Sequence, residues 1–372
     1  MDAIDDTPQR RYPGGYQWLT HDSVIPTKPL DQRDLALSTG LPAGTYDLVD
    51  YKPPADLFLT FANAACTEDG VRQFANLYGL LGLAESEGAV RVVLKSDAKA
   101  SIGLELERAD GNRRGAMGTG ELLSAWQRQL QELRQAVNLW SAVREAESGD
   151  ETNLARRVPW PRKNLVYYDS HPDLPIPPVY AQLFGLRPAP RSARVAAAIR
   201  DDDTRRSFAV IASAQLNSEW LKLFRVGDCL MPAKYYLQKT VNENLRNRVS
   251  PQLLWNVRRN RPHGLALFFV PQSLIGLMWL QLAQAVNGNK QYRQCLACKT
   301  WMLISRETAG KRSSRSSCSN ACRMKVYYGR KIQARNLHRK GLSVRQIADR
   351  LGAGAQAVRL WIKTSAQTRS SK

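Results

Sequence analysis

An α+β fold is predicted for this chain of 372 residues: mainly helical through its N-terminal region and closed by two small C-terminal units. Three observations predict it. Apolar residues recur at helical spacing through the first 290 residues, interrupted by short apolar runs of strand type. Four of the six cysteines stand in two close pairs, Cys295/Cys298 and Cys318/Cys322. The charge is concentrated at one end. Lys290 to Lys372 carries 20 Lys and Arg against only Glu307 and Asp349, which is +18 of the formal +21, while the first 289 residues hold 34 against 31.

Residues 1–50 are polar and contain Pro13, Pro26, Pro29 and Pro42, the composition of an irregular N-terminal arm. Residues 51–150 form a helical region. Leu57, Phe58, Phe61 and Ala65 recur once per turn, and a second helix over Val71–Leu81 puts Phe74, Leu77, Tyr78 and Leu81 on one face. Val90–Leu94 and Ile102–Leu106 read as strands. Glu121–Glu147 is the clearest helix, with an apolar stripe of Leu122, Leu123, Trp126, Leu130, Leu133, Val137, Trp140 and Val143. Residues 151–190 contain eight prolines between Pro159 and Pro190 and read as a connector. Residues 191–290 are expected to be mixed α/β and to pack with 51–150. Here Tyr235–Leu245 and Ser273–Val286 read as helices, and Leu253–Val257 and Leu265–Val270 as strands.

No apolar run reaches the ~18 residues that a membrane helix needs, and no secretory signal is read at the N-terminus, so a cytoplasmic protein is expected. Paired cysteines suit a reducing compartment and metal binding better than a disulfide framework. Cys66 and Cys229, alone among apolar neighbours, read as small buried hydrophobes.

The pairs are Cys-x2-Cys, 19 residues, then Cys-x3-Cys. A Cys-x2-Cys knuckle aims two thiolates at one point roughly 2.3 Å from a zinc ion, and a second pair completes a tetrahedron. Cys322 opens a helix over Arg323–Lys340, whose dipole favours its thiolate. The basic loop Arg306–Ser317 has too few apolar residues to order itself, so metal supplies folding free energy, on the order of 10 kcal/mol. No histidine or carboxylate lies inside the cluster. One structural Zn2+ held by Cys295, Cys298, Cys318 and Cys322 is expected, within a finger spanning 291–340.

Residues 341–365 form the last unit. Ser343 and Gln346 make a capping box, and Gly352 suits the left-handed residue past a helix end. Ile347, Ala348 and Leu351, then Ala357, Val358, Trp361 and Ile362, give two inner faces. The order Ala348, Gly352, Val358 resembles the helix-turn-helix of resolvases, transposases and many bacterial repressors. That resemblance implies a second helix in the major groove of double-stranded DNA, with Gln356 set to read adenine, Arg359 guanine and Lys363 phosphate. Gly354 replaces the usual Ser or Thr cap. The helix before it adds Arg323, Lys325, Arg330, Lys331, Arg335, Arg339 and Lys340 without compensating acids, a phosphate-binding face.

The cysteine segment followed by a basic helix resembles small bacterial zinc fingers of the CGNR type, and treble-clef fingers generally. CGNR proteins join the finger to a helical region called ABATE and are regarded as stress-responsive transcription regulators. Asp56–Asn63 and Phe74–Gly79 resemble that region. Arg323-Met-Lys stands here where the family has Gly-Asn-Arg.

The resemblance implies a DNA-binding bacterial transcription regulator, nucleoid-associated and able to form a homodimer. The Trp126/Trp140 stripe is one candidate dimer surface, weighed against a core role. An RNA-binding or ribosome-associated zinc protein is an alternative. So is a nucleic-acid-directed enzyme with its site in 50–290. Against an enzyme, Asp201–Asp203 reads as a solvated loop between arginines. His21, His171 and His263 have no evident partners, and no phosphate loop or nucleophile elbow is present.

Overall fold

A computed structural model describes residues 54, 56–93, 117–174, 176, 181, 207–258, 261–304 and 316–363, with four short strands between residues 17 and 50. The expected strand Ile102–Leu106, Asp201–Asp203 and His21 lie outside these residues. The chain divides into two compact units, Met1–Asn289 and Lys290–Lys372. No helix among the described residues is long and apolar enough to cross a membrane.

The first unit is built around helix α3, Leu123–Glu147. Helices α1 (Leu57–Asn63) and α2 (Glu68–Tyr78) pack on it. So do α4 (Thr152–Arg157), α6 (Leu230–Leu245) and α7 (Leu274–Asn287), while α5 (Ser218–Leu223) lies against the strand Phe208–Ser213. The expected stripe of α3 is internal: Trp126, Leu130, Leu133, Val137 and Val143 are fully buried and Trp140 nearly so. Phe61 and Phe74 meet the Trp126 ring edge-on, at 6.0 and 6.2 Å between centroids. Because Ala136, Leu139 and Ala142 are buried as well, α3 is covered on more than one face, and the stripe has no exposed area for a dimer.

The structure corrects the sequence reading at several places. Residues 1–50 contain strands β1 (Gln17–Leu19), β2 (Ile25–Thr27), β3 (Ala36–Pro42) and β4 (Leu48–Asp50). Strands β2 and β3 join β5 (Ala89–Val93) and β6 (Met117–Leu122) in an antiparallel sheet ordered β2-β3-β6-β5. Prolines sit at strand ends or short edges there, which sheets tolerate. Glu121 and Leu122 belong to β6, and the helix starts at Leu123. Leu77, placed on the inner face of α2, is 69% exposed, whereas Leu81 follows the helix and is fully buried. The helix stops at Gly79, at φ 85°, and the chain turns inward.

The proline-rich stretch is not a connector where it is described. It forms α4 and strand β7 (Leu165–Asp169), every residue of which is buried. Strand β7 pairs with β8 (Phe208–Ser213), so 151–174 is part of the first unit's core. Strands β9 (Val249–Arg258) and β10 (Arg261–Pro271) form a longer hairpin than predicted. Helix α7 starts beside this hairpin. A Cβ on Gly276 would lie 2.6 Å from the Arg248 carbonyl, so only glycine permits that approach.

Candidate metal centre and nucleic-acid interface

In the second unit, β11 (Gln291–Gln294) pairs with β12 (Trp301–Ile304), Gln294 opposite Trp301 and Gln291 opposite Ile304. The turn between them is the Cys-x2-Cys knuckle. The Cys295 N–H donates to the Thr300 carbonyl at 2.9 Å, and the Lys299 N–H donates to the Cys295 carbonyl at 2.9 Å. Lys299 takes φ 62°, a left-handed conformation rare for a side-chain-bearing residue, and so folds the chain back under its own sulfurs. Tyr292, Cys295, Trp301, Met302 and Ile304 are buried, which gives the hairpin a small apolar floor.

The second pair arrives from the other direction. The Leu296 N–H donates to the Ser316 carbonyl at 3.0 Å, and the Cys318 N–H donates to the Cys295 Sγ at 3.4 Å. Ser319 then caps helix α8, Asn320–Arg339, its Oγ accepting the Cys322 N–H at 3.2 Å. Cys322 is therefore the third residue of the helix rather than its opener. It stands among the free N–H groups of the first turn, where the dipole favours a thiolate.

All four sulfurs lie within 4.8 Å of one another. Cys318 Sγ is 3.5 Å from both Cys298 Sγ and Cys322 Sγ. A sulfur tetrahedron around an ion with bonds of about 2.3 Å has edges of about 3.8 Å, so the set fits one metal ion. A disulfide would need about 2.05 Å, and all four cysteines are free. Burial pushes the Cys295 thiol up, but the backbone N–H groups of Cys298, Cys318 and Ala297 outweigh it and bring the thiol to about 6. The Thr300 hydroxyl lowers Cys298. Cys318 goes the other way, to about 12, because it shares its proton with Cys298 and Cys322. The N–H groups around Cys295 thus favour thiolate at the buried corner, and a dication would deprotonate the coordinating thiols. Among the described residues no histidine or carboxylate joins the set.

Helix α8 continues past the metal centre and packs against α9 (Val344–Leu351) and α10 (Ala355–Lys363). Ala334, Ile347, Ala348, Val358 and Trp361 form one core, with Leu337, Leu342 and Leu351 packed around it. The boundary expected near residue 340 is therefore no domain boundary: one helix serves both the cysteine centre and the helix pair. The Ser343–Gln346 capping box is present, and Gly352 adopts φ 54° at the end of α9. The Gly354 carbonyl accepts the Val358 N–H at 3.1 Å and starts α10.

Gln356 and Arg359 are exposed on α10, and Arg323 and Lys325 on α8. Arg330 and Lys331 are half-buried. Lys363 ends α10, and its side chain lies outside the described residues. Arg335 is half-buried, and its Nε donates to the Trp361 carbonyl at 2.9 Å at the C-terminal end of α10, so it ties α8 to the helix pair. Its sequence neighbours are equally basic, and only the crossing of α8 with α10 distinguishes it.

The isolated cysteines differ. Cys229 is buried, but Cys66 is half-buried and its sulfur accepts the Gln131 Nε2 at 3.3 Å. His171 lies in the loop after β7, its Nδ1 2.8 Å from the Ser170 hydroxyl. The first unit contains a cavity of about 340 Å³ lined by Arg128, Glu132, Tyr168, Tyr236, Lys239 and Glu243, among others. Burial pushes the Tyr236 hydroxyl to about 12 and Tyr168 higher still, so neither serves as a base near neutral pH. Glu132 accepts the Asn244 amide at 2.8 Å.

No protein family, curated protein or solved structure matches this chain.

Proposed function

We propose that the protein is a DNA-binding protein, a bacterial transcription regulator of the cytoplasm, whose second unit grips double-stranded DNA. In this reading a single structural Zn2+ occupies the four-cysteine site and fixes the start of α8. The helix pair α9–α10 acts as a helix-turn-helix, with α10 in the major groove. Gln356 and Arg359, three residues apart on its exposed face, read base edges. Arg323, Lys325, Arg330, Lys331 and Lys363 contact phosphates, and Arg335 supports them from within.

One observation carries the reading: a unit of 83 residues with 20 cationic and 2 acidic side chains, built on one helix shared by a metal-binding cluster and a short helix pair. Uncompensated charge of this density draws polyanions, and a rigid helix pair suits a groove.

Gel-shift titration of the full chain on duplex DNA and on structured RNA, across a salt series, tests it. A steep negative slope of log affinity against log salt on duplex is the expected result. Arg359→Ala should weaken a selected site by roughly tenfold or more and bulk duplex far less. Tighter binding to RNA, or equal losses on both duplexes, would overturn the reading.

A further inference from the structure

Helix α8 carries a feature that phosphate binding does not use. Of its twenty residues only Ala334 is buried. Met324, Tyr328 and Ile332 are 43%, 54% and 58% exposed, and they follow one another at four-residue steps, which stacks them in one row along the helix. Tyr327 lies outside the row and meets Trp361 edge-on at 5.8 Å. Lys325, Lys331 and Arg339 flank the row, and the whole helix from Asn320 to Arg339 contains no Asp or Glu.

Three occupants can be weighed against this chemistry. A second copy of the same helix would set Lys and Arg against Lys and Arg, a like-charge contact that costs several kcal/mol. A phosphate backbone would satisfy the cations but gives Ile332 and Met324 no apolar surface to cover. A helical segment with an apolar row and acidic flanks satisfies both demands, since its row covers Met324, Tyr328 and Ile332 while its carboxylates meet the flanking cations.

We infer that this face of α8 docks an acidic amphipathic helix of a partner protein. The apolar row lies off α10, while Lys325 and Lys331 beside it are also proposed phosphate contacts, so duplex and partner helix share those two cations and Met324 and Ile332 serve the partner alone. The inference goes beyond the DNA-binding reading and does not require it.

The test uses the full chain and a fluorescein-labelled helical peptide of 20 residues, leucine at every fourth position and glutamate on both flanks. Fluorescence anisotropy should give saturable binding below about 100 µM. Met324→Ser with Ile332→Ser removes apolar area without changing charge and should weaken the peptide at least tenfold. Duplex affinity and far-UV circular dichroism should stay unchanged, because neither residue belongs to the three-helix core. Ile332→Lys separates the contributions: it should weaken the peptide despite the added charge. Four results would overturn the inference. The peptide fails to bind the wild type. Ile332→Lys binds it as tightly or more tightly, so charge alone acts. The serine pair loses DNA and peptide together, so the row belongs to the nucleic-acid surface. Or sedimentation shows wild-type self-association that the serine pair abolishes, so the occupant is a second copy.

Discussion

Glu121 sits at the end of β6 with 3% of its surface exposed, and its carboxylate spans a tight loop. Oε2 accepts the Leu81 N–H at 2.9 Å and Oε1 accepts the Leu83 N–H at 2.8 Å. That loop buries Leu80, Leu81 and Leu83. Glu121→Ala removes the acceptor from two N–H groups that water does not reach. Each orphaned donor costs about 1–3 kcal/mol, so the substitution should destabilise the first unit by about 2–6 kcal/mol. Typical domain stability is about 5–15 kcal/mol, which makes this a large fraction of it. Glu121→Gln keeps one acceptor and turns an NH2 toward the other donor, and should cost roughly 1–3 kcal/mol.

The pH dependence has a definite sign. Burial raises the Glu121 carboxyl above its ordinary 4.5, against the pull of the Leu83, Leu81 and Gly82 N–H groups. A raised carboxyl contributes stability that is fully present below 4.5 and is lost as pH rises through its folded value. The gap between wild type and Glu121→Gln should therefore narrow as pH increases. Urea unfolding followed by far-UV circular dichroism at several pH values measures all three proteins. An alanine variant within about 1 kcal/mol of wild type, or a gap that widens with pH, would refute the reasoning.

Metal content should fall more in Cys295→Ser than in Cys298→Ser, because Cys295 is the buried corner held by backbone N–H groups while Cys298 is exposed; chelator competition on the purified variants ranks them. Metal loading should release protons and acid should strip the ion, since the ligands are thiolates and the Cys318 thiol, hydrogen-bonded to Cys298 and Cys322, is pushed up in the absence of metal; a pH titration of metal release shows it. Gly352→Ala should destabilise the second unit by roughly 1–2 kcal/mol through backbone conformation alone, as φ is 54° and nothing lies within 4 Å of the added Cβ; thermal unfolding reads the loss, and Gly352→Asn should recover part of it. Arg335→Ala should cost about 1 kcal/mol through its lost bond to Trp361, whereas Arg359→Ala should stay within ~0.5 kcal/mol of wild type in the same melt.

Local signals were legible where chemistry and spacing coincide in a few residues. The paired cysteines announced a common site because Cys-x2-Cys closes on itself. Ser343/Gln346 and Gly352 announced the ends of α9 because caps are decided by neighbours in sequence. The long stripe of α3 was visible for the same reason. The strands within residues 17–50 were not, because β3 becomes a strand by pairing with β6, some eighty residues away. The proline-rich stretch concealed β7, whose five buried residues find their partner only in β8.

The division between the two sources follows from range. The residues alone determined the charge asymmetry, the close spacing within each cysteine pair and the capped ends of α9, all matters of composition or of contacts a few positions apart. Tertiary structure decided what residue type could not. It decided that α8 serves both the cysteine centre and the helix pair, and that Arg335 bonds a backbone carbonyl while its basic neighbours face outward. It also left Met324, Tyr328 and Ile332 bare. Burial depends on which helices cross and where, and a crossing is a property of the folded chain, not of any one segment of it.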